Sequence, residues 1–298
     1  MKKWKTVVAG ICTTAGIIVL IVDSQTACNG ALEGIRLCLQ TVIPSLFPLM
    51  VLSGLIVSFL GSTTICCFPF LSRFCGIPKG SEIILLTGLV GGYPIGAQCV
   101  CKAYTDGKLT YADARRMMGF CSNAGPAFII GMAGSLFTQN WVMIIVWAIQ
   151  IVSALTVANV FRGKNQKNYA TQWGSSSPFS IRNCVASIGI ICGWIVLFRV
   201  LLSYLDIWFL AALPGYVAAM IKGFIELSCG CIQLHAISSE FIRFIICNCM
   251  LSFGGVCVWM QTKAVVGNCG MGMYLPGKLL QTLISGLLSV LVGLIIFI

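Results

Sequence analysis

Thr87-Gly88-Leu89-Val90-Gly91-Gly92-Tyr93-Pro94-Ile95-Gly96-Ala97 lies at the centre of an apolar segment, residues 82–101, that is long enough to cross a bilayer core. Its four glycines and one proline rule out a plain spanning helix. Proline removes a helix donor and its ring collides with the preceding turn, while clustered glycine loosens the backbone. In hydrocarbon every freed amide and carbonyl needs a partner, so such a break survives only where protein or a water-filled cavity supplies one. A helical hairpin that enters and leaves on the same side meets that condition.

The rest of the chain fits a membrane setting. Of its 298 residues 58% are hydrophobic and 9% are charged, against about 25% charged in a soluble domain. That is too little charge to cover a water-facing surface. Apolar segments fall near residues 6–22, 39–60, 82–101, 117–137, 141–160, 184–205, 208–234, 241–262 and 279–298, separated by short polar stretches. This makes one membrane domain over residues 1–298. Residues 23–38 carry Asp23, Glu33 and Arg36 among apolar positions and are expected to lie along the membrane surface. The N-terminus, Met1-Lys2-Lys3-Trp4-Lys5 ahead of Thr6 to Val22, has the basic head and short apolar core of a signal peptide. Gln25 stands where a lipoprotein cleavage site ending at Cys28 wants an apolar residue, so an uncleaved first helix is the preferred reading.

Lys and Arg number 19 against 8 Asp and Glu, a net charge of +11. On a soluble protein this excess would suggest nucleic acid. Here it sits in short loops, where it orients helices toward the cytoplasm, and no nucleic-acid partner is expected. The same residues test the hairpin. If 82–101 and 208–234 are both re-entrant and the N-terminus is cytoplasmic, the cytoplasmic side receives Lys2, Lys3, Lys5, Arg73, Lys79, Lys102, Lys108, Arg115, Arg116, Arg162, Lys164, Lys167, Arg182, Lys263 and Lys278. The far side keeps Arg36, Arg199 and Arg243, with Lys222 inside the second hairpin. If both segments span, the asymmetry disappears. The expected fold is therefore an all-α integral membrane protein with about seven transmembrane helices and two re-entrant helical hairpins in inverted repeats. N-terminal helices occupy 1–81, the first repeat 82–160, a cytoplasmic linker 161–183, a connecting helix 184–207 and the second repeat 208–298.

Inverted repeats with broken helices let secondary transporters place a site near the midplane. The first half offers Gly91, Gly92, Tyr93, Pro94 and Gly96 together with Ser122, Asn123, Gly125 and Pro126. Amides exposed at a helix break can hold an anionic group. Asn123 can donate and accept, and Tyr93 brings a hydroxyl and a ring. The second half offers Glu226 and Ser228 with Ser252, Gly254 and Gly255, and Gln261 one or two turns further on. Glycine and proline also serve plain close packing in membrane helices; their recurrence in both halves is what points to a substrate site. Glu226 falls inside an apolar run, where ionisable residues are costly and by default functional. Lys222, four residues earlier, shares its helical face. Two readings of Glu226 therefore stand, a local ion pair or a site for a coupling proton or cation.

No catalytic pattern competes. Metalloprotease spacing, a paired-carboxylate site and phosphate- or dinucleotide-binding glycine loops are all missing from the sequence. Neither an enzyme nor an ATP-driven pump is expected, and no cofactor or metal. The 17 cysteines show no matched Cys-x-x-Cys pairs and His235 is the sole histidine, so the cysteines read as small apolar filler. The partners implied are a small-molecule substrate and the lipid bilayer; an oligomer is compatible with the sequence.

Pro44-Ser-Leu-Phe-Pro48, Gly92-Tyr-Pro-Ile-Gly-Ala97, Cys121-Ser-Asn-Ala-Gly-Pro-Ala-Phe-Ile-Ile-Gly131, Gly223-Phe-Ile-Glu-Leu-Ser-Cys-Gly230 and Phe253-Gly-Gly-Val-Cys-Val-Trp-Met-Gln261 together resemble the YlbJ-type sporulation integral membrane proteins. The wider group is the nucleoside-recognition, or gate-domain, family, related to concentrative nucleoside transporters. The resemblance covers about residues 35–290, and the first-half motifs are its most specific part. Departures are the cysteine richness and Cys229, where a small polar residue is expected. The resemblance implies a membrane around the forespore of an endospore-forming bacterium and movement of dipicolinate, a small aromatic dicarboxylate. The residues themselves support a carrier for a small polar or anionic solute. A nucleoside carrier, or a membrane protein that recruits sporulation partners without transporting, are the alternatives.

Overall fold

The computed structural model describes residues 2–60, 69–163 and 180–297. Most of the expected linker, with Lys164 and Lys167, lies outside these residues, as do Cys66 and Cys67. Regular structure among the described residues is helical throughout. Five stretches are long and apolar enough to cross a membrane: 24–52, 142–160, 181–208, 240–266 and 274–297. The chain is an all-α, multi-pass membrane protein.

Helix α15, Tyr274–Phe297, shows why. At about 1.5 Å per residue its 24 residues extend roughly 36 Å, more than the ~30 Å hydrocarbon core. Its pattern is inside-out relative to a soluble helix. Leu283, Leu287 and Leu291 are 66%, 68% and 61% exposed, whereas Gln281, Ser285 and Ser289 are fully buried. Apolar residues facing outward and polar or small ones facing inward is the arrangement that lipid selects.

Helix α1 covers Lys2–Val22, and α2, Ser24–Leu37, begins at Asp23, whose carboxylate accepts from the Thr26 amide at 3.2 Å and so satisfies one orphan donor. Residues 23–38 do not form a separate surface segment. Helix α2 runs through a π turn, Cys38–Val42, into α3, Ile43–Leu60. It packs along α10, Ile181–Trp208. Glycine permits the contact: a Cβ on Gly34 would lie 2.9 Å from the Val196 Cα, and one on Gly30 3.0 Å from the Val200 Cα. Its charges are accommodated at the edge of this contact, where Arg199 reaches Glu33 at 3.6 Å.

After α4, Pro69–Cys75, one succession of elements occurs twice. A pair of short helices comes first: α5, Glu82–Gly91, with α6, Ile95–Thr105. An interrupted helix follows: α7, Tyr111–Met117, then residues 118–125, then α8, Pro126–Phe128, extended by further helical turns to Leu136. The long helix α9, Val142–Val160, completes the unit. Beyond α10 come α11, Gly215–Ile225, paired with α12, Leu227–Leu234. Next are α13, Glu240–Phe253, interrupted before α14, Gly255–Val266, and then α15. Segment 241–262 is therefore not a continuous helix. Gly254 adopts φ +83°, a left-handed value that stops α13 and that only glycine takes without strain.

Each helix pair is held by two glycines flanking its turn. A Cβ on Gly88 or Gly96 would overlap the Cys121 carbonyl oxygen, and the two glycines face each other; Gly223 and Gly230 meet in the same way in the second pair. The open ends of the two pairs point to opposite ends of the molecule. Arg116, at the end of α7, donates to the carbonyls of Gly76, ahead of α5, and Phe161, after α9. Cys101 in α6 contacts the Val266 carbonyl at the end of α14. At the other end, His235 after α12 lies 3.2 Å from Ser135, and Thr138 bonds Glu240 at the start of α13.

Candidate functional site

The interruptions converge. Gly92 (φ +81°) sits against the first interrupted helix, a Cβ there lying 3.1 Å from the Gly125 amide nitrogen. Gly255 sits against the second pair, with Cβ distances of 3.2 and 3.3 Å to the Gly223 and Ile225 carbonyl oxygens. Between them lies a cavity of ≈ 20 Å³ lined by Gly92, Tyr93, Gly125, Glu226, Ser228 and Gln261. Aliphatic and aromatic groups complete the wall: Val42 and Leu46 from the π turn and α3, Ile191 and Ile195 from α10, Phe128, Leu227 and Val258.

The polar groups here are held in distinct ways. Glu226 is 2% exposed and serves as the N-cap of α12: its two carboxylate oxygens accept from the Ser228 amide at 3.0 Å and the Cys229 amide at 2.8 Å. These are charge-assisted bonds to otherwise orphaned donors. Of the two readings of Glu226, the local pair with Lys222 does not form. The chain turns out of helix at Glu226 (φ −136°, ψ 115°), and Lys222 instead pairs with Asp206 at 2.7 Å and donates to Gln233 at 3.3 Å. The Tyr93 hydroxyl is buried without a hydrogen-bond partner, while its ring lies 6.3 Å from that of Phe128. Gln261 donates to the Cys257 sulfur at 3.2 Å. Arg199 reaches the Cys229 sulfur at 2.9 Å behind the tip of the second pair.

Of the residues singled out in the sequence, Gly92, Tyr93, Gly125, Glu226, Ser228 and Gln261 line the cavity. Gly91 ends α5, Pro94 precedes α6, and Gly254 and Gly255 form the second interruption next to it. Gly96 serves the helix pair, as described above. Ser122 is fully buried away from the lining. Pro126 borders a separate groove with Trp147 and Met143. Asn123 and Ser252 belong to another cluster altogether.

That cluster is a buried polar seam between the long helices. Asn123 donates to the Phe120 carbonyl at 2.8 Å and accepts from Lys278 Nζ at 3.4 Å. Lys278 also donates to Gln281 at 2.9 Å. Gln281 reaches the Gln150 carbonyl and Ser153; Gln150 donates to Asn248 at 3.1 Å and accepts from Ser252 at 2.9 Å. Lys278, counted above among loop residues, is 1% exposed. The argument applied to Glu226 would have found it, since Lys278, Gln281, Ser285 and Ser289 recur at helical spacing within an apolar run.

No family model matches the chain, and no solved structure matches it significantly. Among curated proteins, the sporulation integral membrane protein YlbJ of Bacillus subtilis (strain 168) is 24% identical over 152 residues, 50% of this chain and 36% of that protein. The match thus spans about a third of the relative's length, and it supports a relationship to YlbJ-type membrane proteins.

Proposed function

We propose that the chain is a secondary transporter for a small polar solute, built from seven crossings and two re-entrant helical hairpins, α5–α6 and α11–α12, arranged as inverted repeats over 82–160 and 208–298. The observation that carries this reading is the meeting of both helix pairs and both interrupted helices at one small cavity with an unpartnered tyrosine hydroxyl. Buried polar groups are ordinarily satisfied; Ser122, Trp147 and Tyr274 also carry unpartnered buried groups, but Tyr93 is the one of these that lines the cavity, where a ligand would supply the partner. A volume of ≈ 20 Å³ holds about one water molecule and no aromatic solute, so on this reading the tips separate to admit one.

The lining bears on the solute. It contains one carboxylate, Glu226, and no lysine or arginine. A neutral solute with hydrogen-bonding edges and a flat ring suits Tyr93, Phe128, Ser228 and Gln261, which favours a nucleoside-like molecule. A dicarboxylate would face Glu226 and would need a cation brought in, for which Arg199, bonded to Cys229, stands nearest the second tip. The relative's name ties it to sporulation, the setting for which the resemblance implies dipicolinate and a membrane around the forespore. Uptake of radiolabelled dipicolinate and uridine into proteoliposomes containing the purified chain separates these. Saturable uptake of either, lost in Tyr93→Ala, supports a carrier and names its class. Absence of uptake of both, with the protein folded and Tyr93→Ala harmless in a sporulating host, leaves a recruiting membrane protein.

A further inference from the structure

We propose that Lys278 is the proton-binding group of this protein, and that its protonation state controls the first interruption, residues 118–125. The assignment as a coupling site rests on the carrier reading above. It moves the ionisable role away from Glu226, whose two oxygens are committed to backbone amides of α12.

The geometry sets Lys278 apart from the other described lysines and arginines. It is fully buried on the inward face of α15, and its ammonium meets only neutral groups: Asn123 Oδ1 at 3.4 Å, Gln281 Oε1 at 2.9 Å and the Tyr274 ring at 5.9 Å. No ion pair among the described residues includes it. The titratable groups facing it are the Tyr274 phenol on its own helix and the Cys121 thiol across from it. From α9 it meets only the neutral network of Gln150 and Ser153 through Gln281. Helix α13 meets α15 beyond it, with Asn248 at Ser285, the Cys249 thiol at Gly286 and Phe241 and Phe244 at Gly293, while its Glu240 and Arg243 pair with each other. Carboxylates on neighbouring elements are engaged elsewhere, Asp113 with Arg116 and Glu226 with its amides. A buried ammonium with no counter-charge is costly unless its donors are well used.

Proton occupancy reaches the interruption through one bond. As an ammonium, Lys278 grips the Asn123 side chain, which in turn holds the Phe120 carbonyl. As an amine it donates more weakly, and this hydrogen bond between α15 and the Asn123 side chain loosens. In a transport cycle the proton is taken from water on one side, carried as –NH3+, and returned to water on the other. A metal cation is not required, because the lysine supplies the positive charge.

The test needs no solute. Hydrogen–deuterium exchange of the full chain in nanodiscs, corrected for intrinsic rates, is followed between pH 6 and pH 10 in the peptide covering residues 118–125. Exchange should rise by about tenfold or more as pH increases, the effect of losing one charge-assisted bond. Lys278→Met should exchange fast at every pH and Lys278→Arg slowly at every pH. Peptides of α10 report that each variant is folded. Flat exchange in the parent chain, or a pH step that persists in folded Lys278→Met, overturns the proposal. Uptake of the two probes is measured in parallel. A pH step without any uptake sustains the proton site and sinks the carrier reading, whereas uptake with flat exchange does the reverse.

Discussion

Replacing Glu226 by glutamine isolates what this carboxylate does. In the parent chain one oxygen accepts from the Ser228 amide at 3.0 Å and the other from the Cys229 amide at 2.8 Å, with the side chain buried. Glutamine keeps one acceptor and points an NH2 group at the remaining amide, leaving that donor unpaired. The loss of one bond to a charged group amounts to about 1.5–3 kcal/mol, in line with removal of an N-cap. Lys222→Gln breaks a different contact, the partly exposed bridge to Asp206, worth up to ~1 kcal/mol. Since the two side chains share no partner, their effects should add to within roughly 0.5 kcal/mol. A double-mutant cycle of unfolding in mixed detergent micelles measures this. A coupling energy above about 1 kcal/mol, or recovery of Glu226→Gln by Lys222→Gln, would refute the capping role and restore the local pair.

Tyr93→Phe removes a buried hydroxyl that has no hydrogen-bond partner; stability should be unchanged or slightly higher, while on the carrier reading KM for a transported solute rises about tenfold or more, and unaltered kinetics would take Tyr93 out of the site. Gly96→Val drives a side chain into the Cys121 carbonyl and should cost about 3 kcal/mol or more, whereas Gly193→Ala, with open space around it, should be neutral or stabilising by ~0.5–1 kcal/mol; thermal melting of the two variants compares them. Reporter fusions after Gly107 and Gly163 should both read as cytoplasmic and one after Phe297 as the far side. Readings from the far side at the first two positions would remove the hairpins and the inverted repeat with them.

The breaks were legible because proline and glycine act locally. Gly92-Tyr93-Pro94 and Gly254-Gly255 disrupt a helix whatever surrounds them, so their positions follow from covalent structure. The continuity of residues 24–60 was not legible. Asp23, Glu33 and Arg36 read as a surface segment because a charge count ignores direction. In the fold Asp23 caps a helix and Glu33 pairs with Arg199, so charge and spanning helix coexist. Lys222 and Glu226 show the limit of spacing arguments. They share a helical face only if the helix continues, and it ends at Glu226 itself. Lys278 was misplaced for a related reason: at four residues into α15 its position along the sequence resembles a loop flank, and the signal that places it inside is its shared face with Gln281, Ser285 and Ser289.

The distribution of polar contacts says which parts can move. Hydrogen bonds between side chains cross from one half to the other along the long helices, Gln150 to Asn248 and Ser252, Gln281 to Ser153. Separating α9 from α13 or α15 would strand several buried polar groups at about 1–3 kcal/mol each. The helix pairs meet their neighbours differently, through bare backbone at Gly88, Gly96 and Gly255. Such surfaces have little to interlock at these points, although each pair is also tied outward by side chains, Gln98 to Ser187 and Cys101 to Val266 in the first, Lys222 to Asp206 and Cys229 to Arg199 in the second. On the carrier reading, the growth of the cavity from ≈ 20 Å³ to the size of a solute therefore belongs to α5–α6 and α11–α12, with the long helices as the frame. The bond from Lys278 to Asn123 is one place where that frame touches the first interruption, beside the close backbone contact of Gly277 with Gly119. A change of charge at this amine acts on the part of the structure that must give way, and the rest of the seam stays bonded while it does.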